Sequence, residues 1–168
     1  MTPPFRIEVL AQHDRGAFSC GEAALDGYFR TQVTQDIKRR IANCFVAVEV
    51  DTDRLAGFYT LSAGSIPLTD LPPDLTKRLP RYPSIPAVRI GRLANDQAFR
   101  GQGLGGVLLA DALTRTIEGA AAAYAVLVDA KSEDGVRFYE HHGFRRFESA
   151  AMSLFLPIET ARKSMLKR

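Results

Sequence analysis

The chain has 168 residues, 46% hydrophobic and 24% charged, with a net charge of +3. That suits one globular domain over residues 1–168, and a mildly basic balance permits a nucleic-acid partner without demanding one. No apolar run approaches the roughly 20 residues of a membrane span, Met1–Leu10 lacks signal-peptide architecture, and Cys20 and Cys44 form no close-spaced metal pattern. The chain therefore reads as cytoplasmic, with no membrane association and no metal.

In chain order, Phe5–Leu10 reads as a first strand. In "SCGE", Ser19 and Glu22 have the spacing of a capping box. Leu25, Phe29, Val33 and Ile37 recur every four residues, one face of a helix or of a broken pair of helices. Asn43–Val50 is β-rich, and "DTDR" reads as a hairpin turn into a strand over Leu55–Ile66. Pro67–Pro86 holds six prolines, so it is expected to be mostly loop, with one helical turn near Asp74–Arg78. Ala87–Asn95 is another strand. On the helix that follows the glycine-rich loop, Asp111, Thr114, Arg115 and Glu118 share one face and Leu109, Leu113 and Ile117 the opposite one, so it packs on a sheet. Tyr124–Ala130 is a short apolar run, the mark of a central strand covered on both sides. Ser132 caps the next helix, with Glu133 and Asp134 in its first turn, and Gly143 ends it. "MSLFLPI" is a last strand, and Glu159–Arg168 reads as a basic tail.

The stretch "NDQAFRGQGLGGVLLADAL", Asn95–Leu113, carries the chemistry. A helix start leaves N–H groups unpartnered and carries partial positive charge, and glycines let a ligand reach that backbone. Gly101, Gly103, Gly105 and Gly106 thus suggest a phosphate or pyrophosphate cradle. Two cradles fit. Gly101, Gly103 and Gly106 match the dinucleotide fingerprint G-x-G-x-x-G, with Asp129 placed as a ribose-binding acid. Against it, "DQAFR" separates the glycines from their strand, the fingerprint comes late, and little chain follows Asp129 for the rest of a doubly wound sheet. The other cradle is Arg/Gln-x-x-Gly-x-Gly, through Arg100, Gly103 and Gly105.

This second pattern resembles the acyl-CoA loop of the GNAT superfamily of N-acetyltransferases. So does "RFYEHHGF" about 35 residues on, where the family carries a tyrosine near the helix end and this chain has Tyr139. The resemblance covers nearly the whole chain. It implies an α/β (α+β) GNAT fold, a mixed central sheet of six to seven strands flanked by helices and splayed at the acetyl-CoA site. It implies acetyl-CoA as cofactor, with coenzyme A as product. The pyrophosphate would lie on the backbone of Gly101, Gln102, Gly103, Leu104, Gly105 and Gly106, with Arg100 at the mouth, and the pantetheine arm along Leu93, Ala94 and Asn95. Tyr139 would be the acid that protonates the departing thiolate. A phenol near pKa 10 is protonated at neutral pH and can serve a thiol near 8.5.

"FSCGEAALDGYFRTQVTQD", "IGRLAND" and "VLVDAK" resemble, more narrowly, the GNAT toxins of bacterial toxin–antitoxin pairs. Those enzymes acetylate the α-amine of aminoacyl-tRNA and stop translation. The resemblance implies a ribbon-helix-helix antitoxin and a homodimer. No general base stands out: Glu49, Asp96 and Asp129 are uncompelling candidates, and His141 and His142 lie past Tyr139 at a helix end. That fits an α-amine near pKa 7.7–8.0, which needs less help than a lysine near 10.4. Phosphate contacts would come from Lys38, Arg39, Arg40, Lys77, Arg78, Arg81, Arg89 and Arg92. Of these, Arg89 and Arg92 sit on the strand bordering the acetyl group, and Arg92 faces opposite Leu93 by alternation. The alternatives are a GNAT acting on a small amine or protein N-terminus, and a non-catalytic acyl-CoA-binding or partner-binding module.

Overall fold

A computed structural model describes residues 4–166. Strand β1 (Phe5–Val9) precedes a helical segment in three parts: α1 (Ala23–Gly27), one π-turn (Tyr28–Gln32) and α2 (Val33–Lys38). Then come β2 (Asn43–Glu49), β3 (Leu55–Pro67), α3 (Pro73–Thr76), β4 (Ser84–Asn95) and α4 (Leu104–Glu118). The last elements are β5 (Ala125–Asp129), α5 (Glu133–His141), β6 (Arg145–Arg146), β7 (Ser153–Pro157) and α6 (Ile158–Leu166). The strands form a seven-stranded mixed sheet in the order β1-β2-β3-β4-β5-β7-β6. β4 and β5 are parallel, whereas β1/β2, β2/β3, β5/β7 and β6/β7 are antiparallel. The chain divides into two compact units, one running up to Ser62 and taking in Gly91–Ala112, the other holding Ala63–Ile90 and the chain from Leu113 onward.

In the first unit the four-residue apolar repeat does what its period requires. Phe29 and Val33 are fully buried, and Leu25 and Ile37 pack at the margin of the same core. Phe29 stacks on Phe58 with centroids 4.2 Å apart, and Phe18 meets both rings edge-on. The segment is broken by a π-turn, in which the Val33 N–H bonds to the Tyr28 carbonyl. One extra residue in the turn puts both Tyr28 and Phe29 inside. The capping box does not form. Glu22 is the N-cap and contributes no side-chain bond. The Ser19 and Cys20 N–H groups are taken instead by the carboxylates of Asp96 and Asp26, at 3.0 and 2.8 Å.

The second unit is built on β5, whose Ala125–Val128 are all buried between β4 and β7. Leu127 joins Ile66, Leu71, Ile85, Ala87, Phe147 and Phe155 in one core. Leu68, Leu75 and Leu79 pack against it, so apolar side chains hold the middle of the proline-rich segment, and the Leu68 N–H on the Pro83 carbonyl at 3.1 Å closes its ends. Its helical turn is α3, slightly earlier than expected, and β4 already begins at Ser84 inside the expected loop.

Two further expectations are corrected. The basic tail is a helix, α6, because Ile158 and Ala161 are apolar and buried; Lys167 and Arg168 lie outside the described residues. On α4, Asp111 is not merely a polar-face residue: the buried Tyr59 donates its hydroxyl to the Asp111 carboxylate at 2.5 Å. Ser132 does cap α5, accepting from the Gly135 N–H at 3.2 Å, and Gly143 ends that helix at φ +93°.

Gly57 marks the closest packing of β3 against its neighbours. A Cβ there would lie 2.9 Å from the Ala94 carbonyl and 3.0 Å from a Leu108 methyl. Gly57→Ala is expected to destabilise the protein by about 1–3 kcal/mol, the usual range for overpacking. Denaturant unfolding checks this, and an unchanged midpoint would contradict the packing.

Candidate active site

The site is best assembled from β4 outward. The β4/β5 ladder stops at Ile90↔Val128, but β4 runs on to Asn95. The backbone of 91–95 therefore has no partner in β5, and amide groups without a ladder partner can pair with an amide-bearing ligand. Within this stretch the Asn95 Oδ1 is buried and has no hydrogen-bond partner among the described residues, a group that an extended ligand could satisfy.

Asp96 follows and fixes the approach to the glycines. It is buried, and it takes the Ser19 N–H at 3.0 Å and the Ala98 N–H at 2.8 Å, capping the short 3₁₀ turn Gln97–Phe99. Phe99 anchors that turn, buried against the edge of Phe5 with the Arg54 guanidinium over its ring. Arg100 is exposed and donates to the Cys20 carbonyl at 3.2 Å. Gly101 and Gly103 then take φ of +79° and +74°, and a Cβ on either would project into open space. Glycine is required here by backbone conformation, and the space beside it is free for a ligand.

Helix α4 starts at Leu104, and the Val107 N–H bonds back to the Gly103 carbonyl at 3.3 Å. The N–H groups before Val107, including those of Leu104, Gly105 and Gly106, have no intrahelical acceptor. A 15-residue helix thus presents free donors and its positive dipole end beside two open glycines. This arrangement suits an anion of pyrophosphate type.

Tyr139, in the second unit, lies on α5, nine-tenths buried beside Phe138 and Phe144. Burial pushes its phenol up to about 12. Burial alone keeps the O–H protonated at any ordinary pH, and its hydroxyl has no hydrogen-bond partner among the described residues. His141 is exposed, and His142 packs its ring on Phe138.

The base candidates are accounted for by structural bonds. Glu49 accepts the Thr52 hydroxyl at 2.6 Å in the β2–β3 turn, and Asp96 is committed as above. Asp129 is held by the Arg89 guanidinium at 2.6 Å and by the Ser153 hydroxyl at 2.5 Å. That also removes the ribose-binding role imagined for Asp129, and the antiparallel β7 beside β5 is not a doubly wound sheet.

The basic residues separate into three kinds. Lys38, Arg39 and Arg40 in the first unit, and Lys77, Arg78 and Arg81 in the second, are exposed. Arg89 is spent on Asp129. Arg92 is half-buried, with its guanidinium carbon 3.6 Å from the centre of the Tyr28 ring. Residue spacing pointed to Arg92 but not to Tyr28, whose place opposite it is set by the π-turn.

A seven-stranded mixed sheet whose β4 outruns its parallel neighbour, followed by a glycine loop opening a long helix, defines an acyl-CoA-type transferase. The acetyltransferase (GNAT) domain family matches residues 40–146, and the chain belongs to that family. It is 34% identical over 164 residues to a probable toxin TacT of Sinorhizobium fredii, covering 92% of this chain and 90% of that protein. It is 32% identical over 151 residues to a tRNA-acetylating toxin of Mycobacterium tuberculosis, covering 89% of each. Among solved structures it is similar to AtaT complexed with acetyl-methionyl-tRNAfMet, with a TM-score of 0.86, 28% identity and coverage of 98% of this chain and 99% of that one. AtaT has also been solved as AtaTR bound with AcCoA and with the C-terminus of the antitoxin AtaR.

Proposed function

We propose that this acetyltransferase is a toxin that moves an acetyl group from acetyl-CoA to the α-amine of an aminoacyl-tRNA and so blocks translation. The observation that carries the reading is the open glycine cradle at the start of α4, in a chain 32% identical to a tRNA-acetylating toxin. Acetyl-CoA supplies an activated thioester. The backbone N–H groups of Gly101–Gly106 and the Arg100 guanidinium hold its pyrophosphate, and the open backbone of Leu93, Ala94 and Asn95 holds its amide arm. As the amine nitrogen bonds to the acetyl carbon, the carbon–sulfur bond breaks and Tyr139 donates its phenolic proton to the departing thiolate. The proton lost by the amine passes to water, and water returns one to the Tyr139 phenolate, so the enzyme ends as it began. An α-amine, being partly neutral near pH 8, requires no strong protein base, consistent with the structural commitments of Glu49, Asp96 and Asp129.

The acceptor's phosphates are met by the exposed Lys38, Arg39, Arg40, Lys77, Arg78 and Arg81, with Arg92 and Arg89 on β4 nearer the chemistry. A small-amine acceptor would be better served by an acidic surface than by these clusters. The toxin acts in the cytoplasm as a homodimer, restrained by an antitoxin of ribbon-helix-helix type. AtaT's complexes with AtaR support the antitoxin, and family resemblance supports the dimer and the antitoxin's fold. Among the described residues no helix is long and apolar enough to cross a membrane.

Three tests follow from this reading. Gly103→Glu places a carboxylate in the cradle and a Cβ at a left-handed φ; calorimetry on the folded variant should detect no acetyl-CoA binding, and native affinity would refute the cradle. Expression without a partner should arrest growth with a fall in protein synthesis, and normal synthesis at verified expression would favour the small-amine reading. Tyr139→Phe should fold and bind acetyl-CoA but lose about 10²–10⁴-fold in single-turnover acetyl transfer to charged tRNA. A loss within about threefold would be too small for a general acid and would return Tyr139 to a packing role.

A further inference from the structure

Arg92 differs from Arg89, three residues before it on β4. Arg89 is neutralised by Asp129, whereas Arg92 makes no ion pair among the described residues. It is nevertheless fixed at both ends. Its backbone N–H donates to the Thr60 hydroxyl at 3.1 Å, and Thr60 is fully buried. The adjacent Gly91 leaves room for that hydroxyl, which would sit 3.0 Å from any Cβ there. Its guanidinium lies over Tyr28 at 3.6 Å, well inside the roughly 6 Å reach of a cation–π contact.

Tyr28 is itself held. It is 5% exposed, sits at the start of the π-turn, and donates its hydroxyl to the Asp36 carboxylate at 2.7 Å. Burial and then the Asp36 bond push its phenol far above the ordinary range, so it remains a neutral donor. A phenol donating to a carboxylate carries extra electron density on its ring face, which is the face Arg92 covers. The cation is thus oriented by a ring and left unneutralised, with its guanidinium donors still available.

We propose that Tyr28 is a positioning residue for the acceptor: seated on the π-turn and steered by Asp36, it holds the Arg92 guanidinium flat so that its free N–H edge meets a phosphate oxygen at the 3′ end of the tRNA. This rests on the reading of Arg92 as an acceptor contact given above. Tyr28 touches neither the acetyl group nor the acceptor; it acts through Arg92.

The experiment is a double-mutant cycle on the full chain, with charged tRNA as the varied substrate, saturating acetyl-CoA, and acetyl-CoA affinity measured beside it. Arg92→Ala should raise the acceptor KM about tenfold, the order of a partly desolvated cation–π contact and a charge-assisted bond, with acetyl-CoA affinity unchanged. Tyr28→Leu should raise it by a similar factor, and Tyr28→Phe, which keeps the ring, should stay within about threefold. In the Arg92→Ala background, Tyr28→Leu should add less than about twofold, because the effect runs through the missing cation. Arg92→Lys keeps the charge but not the planar fork, and should raise KM several-fold. This arm leaves the core untouched and decides the matter if Tyr28→Leu fails to bind acetyl-CoA: a native KM for Arg92→Lys overturns the stacked arrangement. Additive effects of Tyr28→Leu and Arg92→Ala overturn the inference, as does a native KM for Tyr28→Leu beside a raised one for Arg92→Ala. A native KM for Arg92→Ala itself overturns the acceptor reading of Arg92, and the inference with it.

Discussion

The buried carboxylate of Asp96 is the interaction on which the cofactor loop depends. Its two oxygens take the N–H groups of Ser19 and Ala98, and its own N–H reaches the Ala56 carbonyl at 2.7 Å. One residue therefore ties the end of β4 to β3, to the segment before α1 and to the 3₁₀ turn that leads into the glycines. A buried carboxylate whose two oxygens each accept a backbone N–H is costly to displace, because moving it leaves buried polar groups unpaired. The same segment then braces the loop a second time, through the Gln97 N–H to the Ser19 carbonyl at 2.9 Å and through Arg100 to the Cys20 carbonyl. Gly21 has to be a glycine at this junction: its φ is +94°, and a Cβ would fall 2.5 Å from the Gln97 side chain.

What this bracing preserves is vacancy in the hydrogen-bond ladder of the backbone. The first turn of α4 cannot satisfy its own donors, and β4 continues past the last residue that β5 pairs. Most of a protein's buried backbone is paired within itself; here donors and acceptors are held in reserve by rigid surroundings, so a ligand meets them already oriented and little ordering is left to binding. Tyr139 follows the same logic with a side chain. Its ring is buried among aromatics, which holds the phenol protonated, while the hydroxyl has no partner among the described residues.

The cations show how neighbours decide the use of identical residue types. Arg89 and Arg92 are three apart on one strand, yet one is paired with Asp129 and the other rests on Tyr28. An arginine paired with a carboxylate within hydrogen-bond distance has much of its field cancelled; an arginine on a ring face keeps it. The exposed cations Lys38–Arg40 at the end of α2 and those of the proline-rich segment contribute field at long range and are sensitive to salt.

Sequence by itself determined most of the element order, though not β6 or α6, and with it the glycine cradle, the tyrosine on α5 and the family, because each rests on a local rule. Helical and strand periods, caps such as Ser132, and glycines at a helix mouth are set by residues a few positions apart. The apolar run of β5 announced a central strand for the same reason. Tertiary structure alone decided the rest. The polar spacing of Ser19 and Glu22 looked like a capping box, but Asp96, 77 residues from Ser19, offered the Ser19 N–H a better acceptor. The tail from Glu159 read only as basic; it belongs to a helix whose Ile158 and Ala161 are buried while most of its other residues stay exposed. The proline-rich segment read as loop, yet four leucines pin it to a core it shares with distant strands. Arg92 was legible as a cation near the chemistry, whereas Tyr28 and Asp36, which fix where that cation points, lie more than fifty residues earlier. Contacts of that separation follow from how the chain closes on itself, and no local period encodes them.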